Sequence, residues 1–431
     1  MNDNIKRYIL VILSAFMCEN LFLGVIPSLP TVIIMIFVQI LCLRKEDWSL
    51  VFLLLGSVLG AYFAQKGIHF VGSCLMLLSS IILLRNMKGQ LTIYLNNFTP
   101  LYIFLILSLF SIMLTTGGDY SATKYVSMFM GCIIYSIAYL HLMLNYEKHN
   151  LLNIGLTILI HSLFMVYYMT ELMGSRLTIE SFLYSFASFR DELNLYKFEN
   201  EGVFTINYQS LGMYSCIGLI FSLFSKELNC NKFKVLAVVL SFVVVWYSSA
   251  RQAFLIFVLI VLSYGVLFKK LNLKYVLLLA IVALGGYFWM AAIDLDSLAF
   301  LMGSTEGDGS ARDRIMTVAM SQYHSNPLSG VGFGRFYIDN EYGCNEHNLF
   351  VELLTEMGLI GLLFFVLPIL YSFVISSKYI KQYIREFSLF LCLFLAYFTR
   401  SMVSSDLRET IIVLGFALII KVGSKYKIFG I

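Results

Sequence analysis

The chain has 431 residues, of which 59% are hydrophobic and only 13% charged, with a mean hydropathy of +0.82. About a quarter of the residues in a soluble domain are charged, so this composition excludes an ordinary water-soluble globule. The net charge of +4 is small and scattered along the chain, which excludes a nucleic-acid surface. The eight cysteines fall mostly inside apolar runs. No CxxC or Cys/His spacing accompanies them, so no zinc site and no disulfide framework is expected.

Taken in chain order, apolar runs predict fourteen membrane-spanning helices: 8–26, 29–43, 48–64, 68–85, 99–115, 125–144, 151–171, 204–225, 234–249, 252–268, 275–293, 357–377, 386–401 and 409–424. The first follows Lys6 and Arg7 and resembles a signal peptide. No small-residue cleavage site follows it and Glu19-Asn20 interrupts it, so it reads as a retained span. The prediction is an all-α, polytopic protein with one integral membrane domain, 1–431. Two long connections interrupt the pattern, 172–203 and 294–346. The first is acidic and tyrosine-containing, with Glu180, Asp191, Glu192, Tyr196, Glu199 and Glu201. Loops of that length are usually functional or disordered.

Basic residues set the orientation. With both termini in the cytoplasm, inner segments hold 19 of the 30 lysines and arginines, which supports that topology and puts both long loops outside. The two residue types then separate. Three lysines face outward, whereas eight arginines do: Arg176, Arg190, Arg251, Arg312, Arg314, Arg335, Arg400 and Arg408. Topology has no preference between them. Binding does, because the guanidinium fork grips phosphate or carboxylate with two bonds and keeps its charge. The alternative is pairing with loop acids such as Asp191, Glu192, Asp308 and Asp313.

Arg251 stands in VVVWYSSARQAFLIF, between two apolar runs with almost no loop. A charge there either faces a polar cavity or snorkels to the head groups. Arg400, in AYFTRSM, ends another span on the same side and has the same two readings. In the second loop, Ser310 and Asp313 form a capping-box pattern. Ile315, Val318, Ala319 and Gln322-Tyr323 then predict an amphipathic surface helix that Asn326-Pro327 stops. Arg312 lies in its first turn, where a cation opposes the helix dipole. An anion bound at that terminus would reconcile the two. The following GVGFG follows no strand and lacks a Lys-Ser/Thr, so it reads as a turn that lets backbone pack closely, not as a nucleotide loop.

Next comes HNLFVELLTEMGLIG. His347 and Asn348 open a helix leading into the twelfth span. Asn348, Glu352 and Glu356 share one helical face at i, i+4 and i+8, while Leu349, Leu353 and Ile360 line another. Gly358 and Gly361 permit close packing. A histidine at a water–membrane boundary can take a proton from a hydroxyl; the alternative is a structural histidine. Arginines for phosphate, one candidate base and polar loops thus gather on the outer side. They suit transfer from an activated, anionic, lipid-borne donor such as a lipid pyrophosphate carrying a sugar. A transporter of such a lipid is the competing class, but no inverted repeat is seen.

SSAR at 248–251, SAR at 310–312, HSNPLSGVGFG at 324–334 and HNLFVELLTEMGLIG at 347–361 resemble the O-antigen polymerase/ligase family, in motif detail over about 248–365. The resemblance implies a metal-independent, inverting glycosyltransferase with a membrane fold of the glycosyltransferase C type and no cofactor. It works in the cytoplasmic membrane, with its site facing the periplasm or cell exterior. It implies donor and acceptor glycans on undecaprenyl pyrophosphate, with a chain-length regulator as a candidate partner. Carried over by motif, Arg251 and Arg312 bind the donor pyrophosphate, with Arg314 as a helper, and His347 activates the acceptor hydroxyl. Asn348, Glu352 and Arg400 would support the site. Polymerase is the leading expectation. Ligation of glycan to lipid A core or to a protein is the alternative.

Overall fold

The structure is a computed structural model. It describes residues 2–68, 70–86, 90–114, 118–174, 208–225, 231–248, 250–267, 308–340, 345–346, 348–380, 384–402, 407 and 411–426. All regular structure among them is helical. In chain order the helices are α1 (Asp3–Leu23), α2 (Ser28–Cys42), α3 (Lys45–Gln65), α4 (Val71–Asn86) and α5 (Leu91–Asn97). Then come α6 (Thr99–Leu114), α7 (Asp119–Leu144), α8 (Leu151–Leu172), α9 (Tyr208–Leu223), α10 (Asn231–Ser248) and α11 (Arg251–Leu267). The last are α12 (Asp308–Ser325), α13 (Arg335–Asp339), α14 (Leu349–Ile380), α15 (Ile384–Ser401) and α16 (Ile412–Tyr426).

Every apolar run predicted to span has a helix at its place, except 275–293, which lies outside the described residues. Among the described residues, four helices are long and apolar enough to cross a membrane, or six if two bent pairs each count as one. The fourteen-span count exceeds this because helices such as Ser28–Cys42 and Phe387–Ser401 are apolar but shorter than a span.

The chain forms two compact units. One is Met1–Lys88 with Asn145–Leu273. Its centre is α8, in which every residue from Leu151 to Thr170 is buried. A helix apolar on all sides has no face to offer water. Two of its hydroxyls are satisfied within the helix: Thr157 donates to the Asn153 carbonyl and Ser162 to that of Ile158. Helices α1, α9 and α10 pack around it. Gly155 lets α9 approach so closely that a Cβ there would come within 2.5 Å of the Gly218 carbonyl oxygen.

The other unit is Gly89–Leu144 with Lys274–Ile431. Here α14 is the hub, contacted by α6, α12 and α16, with α7 against α16. The amphipathic helix expected in the second long loop is α12. Its apolar face buries Ile315 and Ala319 against Phe336 and Val351, with Val318 beside them. It ends at Ser325, before Pro327, as predicted. Its start differs, because the helix begins at Asp308 and so takes in both Ser310 and Asp313. The helical backbone thus extends N-terminal to Ser310, which lies inside the helix rather than at its cap.

Helix α14 is interrupted. Gly358 has φ 64° and ψ −164°, outside the helical region. Past this break the register changes. Leu349 and Leu353 are buried as expected, but Ile360 is 45% exposed and does not continue their face.

Candidate functional site

Asn348 starts α14 as its N-cap. Its Oδ1 accepts from the backbone N–H groups of Phe350 and Val351 at 3.0 and 3.3 Å, and its carbonyl accepts from Glu352. Its Nδ2 donates 3.1 Å to the Met402 carbonyl, tying the cap to the end of α15. Replacing such a cap with alanine costs about 1 kcal/mol. Asn348→Ala should therefore lower thermal stability by that order, and Asn348→Asp by less, since it keeps the acceptor. A scanning-fluorimetry comparison of the two variants checks this; equal losses would refute the capping role.

One and two turns further on, Glu352 and Glu356 reach the same cation. Lys124 on α7 places its ammonium 2.6 Å from Glu352 Oε1 and 2.7 Å from Glu356 Oε1, and all three side chains are completely buried. Glu352 Oε1 also accepts from the Leu407 N–H at 2.9 Å. The Phe333 ring lies 5.2 Å from the ammonium, a cation–π distance. The predicted common face of Asn348, Glu352 and Glu356 is therefore real, and its acids bond a neighbouring helix.

A third acid joins them. Glu346, just before the cap, is 6% exposed. One oxygen each of Glu346, Glu352 and Glu356 lie within 4.8 Å of one another, a spacing that could hold a metal ion. Burial, together with the charges of Glu356 and Glu352, holds the Glu346 carboxyl well above the usual carboxylate range, with Lys124 opposing.

The glycine-rich run packs backbone to backbone, as expected, but its partner is the break in α14. Val331 and Gly332 donate to the carbonyls of Thr355 and Glu356 at 2.8 and 2.9 Å. Leu359 and Ile360 donate to the carbonyls of Pro327 and Leu328 at 2.9 and 3.2 Å. The loop thus satisfies groups that the broken helix releases. The expectation of helix packing at Gly358 is corrected accordingly, since a loop backbone occupies that contact. Further along, the Phe333 N–H donates to Ser111 on α6, and Tyr337 stacks on Tyr120 of α7 at 4.0 Å. Tyr120 donates 3.0 Å to Asn345 Oδ1, which fastens the segment before the cap.

Of the other predicted residues, Arg251 opens α11 and belongs to the first unit. Only residues 249 and 250 separate it from the end of α10 at Ser248, the tight junction anticipated. Its side chain and that of Arg312, within α12, lie outside the described residues, as does His347 altogether. The same holds for Arg176, Arg190 and Arg408. Arg314 is exposed on α12, and Arg400 is buried in the last turn of α15. The structure thus brings together Asn348, Glu352 and Glu356. Lys124, placed among ordinary outer lysines, and Glu346 were missed. The signal for Lys124 was present: two acids one turn apart in an apolar helix require a cation.

Residues 236–366 match the family model described as O-antigen ligase. No curated protein matches the chain.

Proposed function

The matched segment assigns the chain to the O-antigen polymerase/ligase family, and from that premise we propose that it is a polysaccharide polymerase joining undecaprenyl-pyrophosphate-linked repeat units. The observation that carries this reading is the match itself, because 236–366 spans Arg251, Arg312, His347 and the mouth of α14. In this reading Arg251 and Arg312, helped by Arg314, hold the donor pyrophosphate. His347 takes the proton of the acceptor hydroxyl as its oxygen attacks the anomeric carbon from the face opposite the leaving group. The C–O bond to phosphate breaks, and its electron pair leaves with the lipid pyrophosphate. The anomeric centre inverts, without a metal ion. Asn348, Glu352 and Arg400 hold the surrounding helix ends.

The proposal places fourteen spans in the cytoplasmic membrane, both termini inside and the reaction on the outer face, with a chain-length regulator as a partner. The same match supports equally a second reading, ligation of finished glycan to lipid A core or to a protein. The acidic first loop, which could meet a growing glycan, supports the polymerase. Deletion of the gene in its host, complemented by wild type or His347→Ala at equal membrane levels, tests both. The expected result is surface glycan collapsed to one repeat in the deletion and the variant. Full-length chains stranded on the lipid carrier would establish the ligase, and a normal ladder from His347→Ala would remove the general base.

A further inference from the structure

Three buried carboxylates converge on one ammonium. Lys124 contacts Glu352 and Glu356 directly. Glu346 is the surplus acid: it is more than nine-tenths buried, and neither of its oxygens has a hydrogen-bond partner. An ionised carboxylate in that position would be desolvated and unbonded, and would stand beside two further anions. The neutral acid avoids all three penalties. Glu352 has the stronger claim to a charge, since it holds the ammonium and the Leu407 N–H and sits in the first turn of α14, where the helix dipole favours an anion. Glu356 shares the ammonium. A metal ion would stand beside the Lys124 ammonium and be repelled by it, whereas a proton meets no such competitor.

We propose that Glu346, Glu352, Glu356 and Lys124 form a proton-binding site whose protonated member is Glu346. A small rotation lets the Glu346 O–H donate to Glu352 or Glu356, whose oxygens are within reach. Among the described residues, the charged and titratable groups facing Glu346 are these two glutamates from α14 and Lys124 from α7. A consequence rests on the proposed function. Glu346 immediately precedes His347, and as a neutral acid it places no anion next to that base in the chain. A carboxylate there would stabilise the imidazolium and empty the base. Glu346 is in this sense a positioning and tuning residue.

The test uses the purified full-length protein in lipid nanodiscs. Infrared difference spectra of wild type and Glu346→Gln, followed over pH, report a protonated carboxyl group directly and do not depend on any transferase activity. The expected result is a carboxylic-acid band at neutral pH in wild type, absent in Glu346→Gln and lost from wild type on alkaline titration. Glu346→Asp keeps an acid and should shift the band, which preserves the assignment if the amide variant does not accumulate.

Thermal stability gives a second readout. Above an unfolded-state pKa of about 4.3 the unfolded chain releases a proton that the folded chain keeps. The contribution of Glu346 to wild-type stability is then fully present below that pH and is lost as pH rises through the folded pKa, a slope that Glu346→Gln lacks. The Tm of the variant should therefore gain on that of wild type as pH rises. Glu346→Gln should also retain the glycan ladder. Wild type without the acid band at neutral pH would overturn the site in favour of an ionised carboxylate that binds a cation. A collapsed ladder in Glu346→Gln, with the acid band present in wild type and absent from the variant, would overturn the tuning role alone.

Discussion

Lys124→Met should destabilise the protein by about 3–5 kcal/mol, the cost of removing one partner from a buried ion pair. Methionine keeps the length and apolar stem of lysine, so packing is nearly preserved and the loss is electrostatic. What remains are Glu352 and Glu356, both completely buried and without the ammonium, with the Leu407 N–H still serving Glu352. The chain escapes by protonating them or by pulling α7 away from α14. Either route lowers the Tm in detergent and reduces the protein recovered from membranes. The partner substitutions decide the cause. Lys124→Met combined with Glu352→Gln and Glu356→Gln removes the stranded charge, and should recover most of the loss. A triple variant as unstable as Lys124→Met alone would show that the ammonium acts through packing, against Phe333 for example.

The same cluster shows how far the sequence could be read. The shared face of Asn348, Glu352 and Glu356 follows from helical periodicity, which relates residues one turn apart. Its partner does not, because Lys124 stands 232 positions from Glu356 and no local pattern links them. Helix positions were legible wherever an apolar run was long, and the complete burial of α8 agrees with its lack of a polar side. The apolar face of α12 was legible too, from Ile315, Val318 and Ala319. The exposure of Ile360 was not, since one glycine resets the register of everything after it. Nor did hydropathy separate helices of spanning length from shorter ones such as α2, because both are apolar. Arg251 was placed at a helix start by its tight junction alone.

The break in α14 carries the second large expected effect. Gly358 combines φ 64° with ψ −164°, a region open essentially to glycine alone, where another residue costs about 1–3 kcal/mol. A Cβ at Gly358 would also come within 2.4 Å of the Leu328 carbonyl carbon and oxygen. Those atoms belong to the loop that bonds the broken helix, so they cannot yield as a side-chain tip would. Overpacking adds about 1–3 kcal/mol, and Gly358→Ala should lose roughly 2–5 kcal/mol in all. Gly330→Ala attacks the same contact from the loop side, with φ 69° and a Cβ 2.5 Å from the Met357 nitrogen. Gly118→Ala is the control. Its Cβ would meet only the Ile338 Cδ1 at 3.8 Å, and its backbone is not in the left-handed region. The expected order of Tm loss is Gly358→Ala and Gly330→Ala large, Gly118→Ala small. The two severe variants should also lose the glycan ladder, because the loop and the break hold the helix that begins at Asn348, directly after His347. If Gly358→Ala were no worse than Gly118→Ala, the loop would be resting on α14 rather than completing it, and the backbone bonds across the break would contribute little to the site.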